Sequence, residues 1–200
     1  MLLGDYFKNI NSNYKKFFFS GISFNSNKIL KDNIFFAIKG NNVNGANFIL
    51  HAIKKGAKII ITEHKNEELK NNILYIKTKN IRKLLAEISF KIYNKIPKNI
   101  IAVTGTNGKS SVADFYYQIL KLNSKRVASI GTLGVKSKNV NLNLSNTTID
   151  PIKLAQILTR LKSQKVENVI LEASSHGLKQ NRLDGLKFNS GIFTNLSQDH

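Results

Sequence analysis

Lys109 and Ser110, set behind two glycines, are the residues of this sequence best suited to phosphate chemistry. They stand in Val103-Thr-Gly-Thr-Asn-Gly-Lys-Ser-Ser111. Gly105 and Gly108 can take up positive φ and let the backbone come close to an anion. Successive N–H groups and the start of a helix then point at it. Lys109 brings a point charge to β- and γ-phosphates, and the Ser110 hydroxyl can ligate Mg²⁺. A standard phosphate loop would have glycine at 103, where this chain has valine. The Lys-Ser pair favours a nucleoside triphosphate over a dinucleotide, whose loop would read G-x-G-x-x-G. The bland alternative is a glycine turn with no ligand. A second group of chemistry-bearing residues runs from Glu172 to Arg182. Taken alone, Glu172 reads as an ordinary carboxylate at a strand end. Arg182 is suited to fork a carboxylate or a phosphate.

These residues need a scaffold, and the apolar pattern supplies one. Asn33–Ile38, Lys58–Thr62 and Ile73–Ile76 read as strands, and 46–55 and 80–93 as helices. Gly56 is placed to close the first of those helices. The character of the sequence changes near Pro97. After it, Asn99–Thr104, Arg126–Ile130, Val166–Glu172 and Gly191–Thr194 read as strands. Helices are predicted over 111–122 and 151–162, the latter with Pro151 at its start after Asp150. Strands alternating with helices predict parallel sheets, with ligands beyond the carboxyl ends of the strands. The expected fold is α/β: a small N-terminal α/β domain over 1–96, then an incomplete P-loop-type, doubly wound, mostly parallel sheet over 97–200. Phe17-Phe18-Phe19 is expected to pack in the core.

Composition narrows the function. The 200 residues carry 31 basic and 12 acidic side chains, a net charge of +19. Arginine occurs only at 82, 126, 160 and 182, so 27 of those cations are lysine. Base-reading proteins favour arginine forks, and these lysines are scattered. Specific nucleic-acid binding is therefore not expected, and neither is membrane association. With no cysteine, disulfides, zinc–thiolate sites and thiol nucleophiles are excluded. The longest apolar runs, such as Ile34–Ile38, fall far short of the ~18 residues needed to span a bilayer. The first residues lack a signal-peptide pattern. A cytoplasmic monomer is expected.

Four stretches together resemble one family. Thr104–Ser110 is similar to the shortened phosphate loop of the Mur ligases and folylpolyglutamate synthetases. Asn146-Thr-Thr148 and Glu172-Ala-Ser-Ser-His-Gly-Leu-Lys-Gln-Asn-Arg182 resemble the MurE type, whose signature is E-x-S-S-H-G-L-x-Q-x-R. Phe193–His200 resembles the segment just downstream. The resemblance implies an ATP-dependent, amide-bond-forming ligase of peptidoglycan precursor synthesis, and hence of cell-wall biogenesis, cell shape and division. Such an enzyme adds a third amino acid, meso-diaminopimelate or in some bacteria lysine, to UDP-N-acetylmuramoyl-L-alanyl-D-glutamate through an acyl phosphate. It implies ATP and Mg²⁺ as cofactors. It assigns ATP binding to Gly105, Thr106, Asn107, Gly108, Lys109, Ser110 and Ser111, and catalytic roles to Lys109, Glu172 and His200. Ser110, Glu172 and His200 would be metal ligands. Asn146, Thr147, Thr148, Ser174, Gln180 and Arg182 match substrate-contacting positions. In the first domain, Phe24, Ser26, Asn41, Asn42 and Val43 fall in two uridine-nucleotide loops.

The chain departs from the family in places. It has Asn25-Ser26-Asn27 where Asp-Ser-Arg is common, and Asn44-Gly45-Ala46 where Asp-Gly-Arg is frequent. His176 is expected to orient its loop, and His51 and His64 to be surface or helix residues. Family members are much longer. The second sheet is therefore expected to be unfinished, with an exposed edge and apolar face, and the 200 residues alone to lack ligase turnover. The competing readings are a noncatalytic nucleotide-binding remnant, or another Mur or folylpolyglutamate-type ligase.

Overall fold

The computed structural model describes residues 1–41, 43–64, 66–144 and 146–197. The described chain forms two compact units, Met1–Ile88 and Ser89–His200. The division falls within a helix, whereas the sequence changes character near Pro97.

The first unit begins with a short helix α1 (Leu3–Tyr6) and carries strands β1 (Ile22–Ser23), β2 (Ile34–Phe36), β3 (Ile59–Thr62), β4 (Glu68–Lys70) and β5 (Ile73–Lys77). Their order across the sheet is β1-β2-β3-β5-β4. All pairs are parallel except β4–β5. Every residue of β2 and β3 is buried, as expected of parallel strands covered on both faces. Helix α2 (Ile49–Lys54) is shorter than predicted, because Gly45–Phe48 forms a 3-10 turn led by the Asn44 side chain. Gly56, at φ 111°, ends α2. Its N–H bonds to the Ile53 carbonyl, and the Ala57 N–H bonds to that of Ala52, so the last carbonyls are satisfied. Of the three consecutive phenylalanines only Phe19 enters the core; Phe18 is exposed. Helix α3 (Ile81–Ile92) spans the division between the units.

The second unit contains β6 (Asn99–Thr104), α4 (Lys109–Leu122), β7 (Val127–Gly131), β8 (Gly134–Ser137), β9 (Asn141–Leu142), α5 (Pro151–Ser163), β10 (Asn168–Glu172), a single-turn α6 (Ser175–Lys179) and β11 (Ser190–Phe193). The strand order is β11-β6-β10-β7-β8-β9. The first four strands are parallel, and β7-β8-β9 is an antiparallel extension that the apolar pattern did not reveal. The structure is thus mixed α/β, with both sheets dominated by parallel pairs. The Asp150 side chain caps α5 at the Lys153 N–H, and Pro151 opens the helix. Leu154, Leu158 and Leu161 of α5 pack with Ile100, Ile130, Val169 and Leu171 in the core. Phe193 on the edge strand β11 is exposed, as are Phe115, Ile119 and Leu122 on α4. Among the described residues, no helix is long and apolar enough to cross a membrane.

Candidate functional site

Strands β6 and β10 are neighbours and parallel, with Glu172 level with Val103. The loop leaving β6 therefore meets the carboxyl end of β10. Gly105 comes directly after β6 at φ 136°, and a Cβ there would collide with Thr194. Gly108, at φ 83°, has open space where a Cβ would stand, so it is needed for its backbone angle and not for room. It is also the N-cap of α4 and offers no side-chain acceptor. The first helical bond runs from the Val112 N–H to the Gly108 carbonyl. The N–H groups of the helix ahead of Val112 have no acceptor within the helix, an arrangement able to receive an anion.

The loop is braced from the segment after β11. The Thr106 N–H donates to the Asn195 carbonyl at 3.0 Å. The Asn107 N–H donates to Asn195 Oδ1 at 3.0 Å, and Thr194 Oγ1 donates to the Asn107 carbonyl at 2.7 Å. Thr106 Oγ1 donates to the Ser197 carbonyl at 3.1 Å. Lys109 Nζ donates to the carbonyls of Gly105 (2.6 Å) and Thr106 (2.8 Å). That uses two of its three protons and leaves one for an anion.

Glu172 is only 2% exposed. Its Oε2 accepts from Ser110 Oγ at 3.0 Å and from Thr132 Oγ1 at 3.0 Å, while Oε1 accepts from the Thr132 N–H at 3.2 Å. Thr132 stands in a two-residue turn between β7 and β8, where Gly131 faces Gly134. A Cβ on Gly131 would collide with the Glu172 carboxylate. Thr132 Oγ1 also lies 3.0 Å from Thr147 Oγ1. One chain of hydroxyl and carboxylate contacts thus runs Ser110–Glu172–Thr132–Thr147. Ser110, Glu172 and Thr132 offer hard oxygen donors, the set Mg²⁺ favours.

The segment around Thr148 is fixed from below. Thr148 is buried, its Oγ1 donating to the Glu172 carbonyl and accepting from the Ser174 N–H, each at 2.9 Å. Ser174 Oγ accepts from the Gly177 N–H at 3.1 Å and caps α6. Arg182 donates from Nη1 to the Thr148 carbonyl and from Nε and Nη2 to Gln180 Oε1, at 3.1 and 2.8 Å. Arg182 and Gln180 therefore hold this loop. Asn146 and Ser111 are exposed. His176 is exposed and its ring makes no hydrogen bond among the described residues, so it does not orient the loop as expected. His200 lies outside the described residues.

In the first unit the two expected loops leave the carboxyl ends of adjacent parallel strands, β1 and β2. Phe24 is exposed. Ser26 is buried at the start of a 3-10 turn capped by Asn25, which presents little of Ser26 to a ligand. Asn41 and Val43 are exposed in a tight turn closed by the Gly40 N–H on the Val43 carbonyl at 2.8 Å. Asn42 lies outside the described residues.

The sequence reading missed Thr132 and Gly131, and assigned no role to Thr194 and Asn195. A signal for the first pair existed: Gly131-Thr-Leu-Gly134 between two strand-like runs is a hairpin pattern.

Known proteins resemble this chain in sequence and fold. Residues 103–200 match the family model of the Mur ligase middle domain, and residues 19–93 that of the Mur ligase family, catalytic domain. A UDP-N-acetylmuramoyl-L-alanyl-D-glutamate--2,6-diaminopimelate ligase of Rickettsia prowazekii (strain Madrid E) is 41% identical over 196 residues, covering 96% of this chain and 40% of that one. The enzyme of the same name from Wigglesworthia glossinidia brevipalpis is 40% identical over 200 residues, again covering 96% and 40%. The chain thus spans about 40% of the length of the relatives it matches. A solved structure of a ligase of this name superposes with a TM-score of 0.84 at 29% identity, over 100% of this chain and 41% of that one. A MurF ligase from Thermotoga maritima in complex with ADP shares the fold, with a TM-score of 0.53 at 21% identity over 87% of this chain and 37% of that one.

Proposed function

The chain belongs to the Mur ligase family, and from that premise we propose that it carries the uridine-nucleotide and ATP-binding parts of a cytoplasmic, ATP-dependent ligase. The ligase adds meso-diaminopimelate to UDP-N-acetylmuramoyl-L-alanyl-D-glutamate in peptidoglycan precursor synthesis. The γ-phosphoryl group of ATP passes to a substrate carboxylate, giving ADP and an acyl phosphate. The amine of the incoming amino acid attacks the acyl carbon, expels phosphate and forms the amide. Residues 1–96 are the uridine-nucleotide domain and 97–200 the ATP-binding one.

Phosphoryl transfer of this kind depends on positioning and charge neutralisation. The unpaired N–H groups at the start of α4 hold the phosphate tail, and Lys109 neutralises it with its remaining proton. Ser110 and Glu172, which already touch, would hold Mg²⁺, and His200 would serve as a further ligand. When bound, Mg²⁺ supplies charge neutralisation on the phosphate oxygens. Thr147, Thr148, Ser174, Gln180 and Arg182, with Asn146, orient the dipeptide end of the substrate. Phe24, Ser26 and Asn41 to Val43 contact the uridine nucleotide.

The observation that carries this reading is the 3.0 Å contact between Ser110 and Glu172. It brings the phosphate loop and the eleven-residue signature together at the carboxyl ends of two neighbouring strands. The test is titration of the ¹⁵N-labelled chain with Mg·ATP, followed at the amides of Gly105 to Ser111. Saturable shifts there, weakened about tenfold or more by Lys109→Ala with far-ultraviolet circular dichroism unchanged, are expected. No saturation, or equal affinity in the variant, would remove the reading. Release of ADP dependent on both the muramoyl dipeptide and diaminopimelate, measured on the protein carrying these domains, tests the substrate assignment.

A further inference from the structure

A cleft of about 580 Å³ opens in the second unit, far from the phosphate loop. It lies at the amino ends of the strands: Val127 begins β7, and Val166 stands just ahead of β10. The phosphate loop and Glu172 occupy the carboxyl ends, about 15 Å away along a strand of this length. Buried Tyr117, Val127 and Val166 give the cleft an apolar floor. Lys121, Lys125, Arg126 and Lys138 line it, and no acidic residue does.

Two helices, α4 and α5, end at this cleft, which raises a simpler account of the cations. Helix C-termini carry partial negative charge and attract lysine. Those ends are already satisfied from the backbone. At α4 the N–H groups of Ser124 and Lys125 bond to the carbonyls of Lys121 and Leu120. At α5 those of Lys165 and Val166 bond to Lys162 and Leu161. The two helix ends amount to roughly −1 together, against four full positive charges. None of the four makes an ion pair among the described residues. The balance of the cleft is positive.

One further observation singles it out in a chain where lysine is common everywhere. Oε1 of Gln164, the C-cap of α5, is buried and has no hydrogen-bond partner. A buried acceptor left so costs about 1–3 kcal/mol.

We propose that this cleft binds a small phosphorylated molecule bearing a hydroxyl group, of the sugar-phosphate or polyol-phosphate class. The phosphate meets Lys125, Arg126 and Lys138, a hydroxyl donates to Gln164 Oε1 once that side chain rotates into the cleft, and the carbon skeleton rests on Tyr117, Val127 and Val166. The volume lies within the usual range for small-molecule sites. The site is separate from the phosphate loop and does not depend on the ligase reading.

The test is titration of the ¹⁵N-labelled chain with glycerol 3-phosphate, and separately with inorganic phosphate. Glycerol 3-phosphate is expected to shift the amides of Ser124 to Val127 and Ser137 to Asn139 saturably, and to bind more tightly than phosphate. The double variant Lys125→Ala, Arg126→Ala should weaken both probes about tenfold. Gln164→Leu should bring glycerol 3-phosphate down to the affinity of phosphate while leaving phosphate unchanged. An unaltered amide spectrum elsewhere checks that each variant is folded. The proposal is overturned by absence of saturation at those amides, by affinities indifferent to the double variant, or by equal binding of the two probes.

Discussion

Gly131 tests whether Glu172 is held in one position. Its Cβ-less α-carbon faces the carboxylate so closely that an added methyl would overlap Oε1 and the atoms behind it. Glu172 cannot swing aside without breaking bonds to Ser110 and Thr132. Gly131→Ala therefore forces a choice between overpacking and the loss of charge-assisted hydrogen bonds. Overpacking a buried site costs about 1–3 kcal/mol, and each bond to a charged group is worth about 1.5–3 kcal/mol. The cheaper route sets the cost, so about 2 kcal/mol is expected. With a urea m-value of roughly 2 kcal/mol/M, the unfolding midpoint should fall by about 1 M. The decisive measurement is the same substitution made on Glu172→Ala. There the obstacle is gone, and Gly131→Ala should cost close to nothing. The coupling between the two sites is then about 2 kcal/mol, well above the ~0.5 kcal/mol scatter of independent sites. If the two substitutions are additive, the glycine is not making room for the carboxylate, and the account of Glu172 as a fixed, crowded side chain fails.

Other consequences can be checked separately. Thr132→Val removes one hydroxyl from Glu172 and keeps the backbone N–H; it should weaken Mg²⁺-dependent ATP binding more than ATP binding in excess EDTA, as read by calorimetry. The Asp114 carboxyl is held below its ordinary value by the hydrogen bond from Lys136 at 2.7 Å, against an opposing effect of burial and with further help from Gln118. Because the folded value is the lower one, its stabilisation is present above the ordinary carboxylate value and is lost as pH falls through the folded one. Lys136→Met should raise the Asp114 midpoint in a ¹³C titration, and both side chains are exposed enough that stability at neutral pH should change by under about 1 kcal/mol. Lys165→Gly should stabilise by about 0.5–1 kcal/mol, because relief of a left-handed lysine exceeds the entropy that glycine adds; a lower melting temperature would contradict this.

How much of this was legible in the sequence depended on whether the chemistry lay along the chain or across it. The loop from Gly105 to Ser110 was legible as a candidate site because its glycines, lysine and serine fall within six residues, and its strand–loop–helix context, which the structure has, is readable from apolar spacing alone. The signature from Glu172 to Arg182 was equally local. Thr132 was not, since nothing near it in sequence says that β7 ends beside β10. That adjacency comes from the order β6-β10-β7, in which a later strand inserts between two earlier ones. The same crossing order explains Asn195, whose role depends on β11 lying on the other side of β6. The hairpin of β7 and β8 escaped because a parallel expectation was extended over a Gly-x-x-Gly turn that argued against it.

The same crossing order says something about how the site is held. Glu172 reaches its position only when β10 has inserted between β6 and β7, and its three donors come from α4 and from the turn after β7. Those donors lie 62 and 40 residues away in the chain. A carboxylate assembled from contacts so distant in sequence cannot form by local folding, so its geometry reports on completion of the sheet. A buried, unpaired charge is costly, and Ser110 and Thr132 are what make this one tolerable before any cation arrives. The hydroxyls that would join a metal shell are thus the same ones that let the buried carboxylate fold into place.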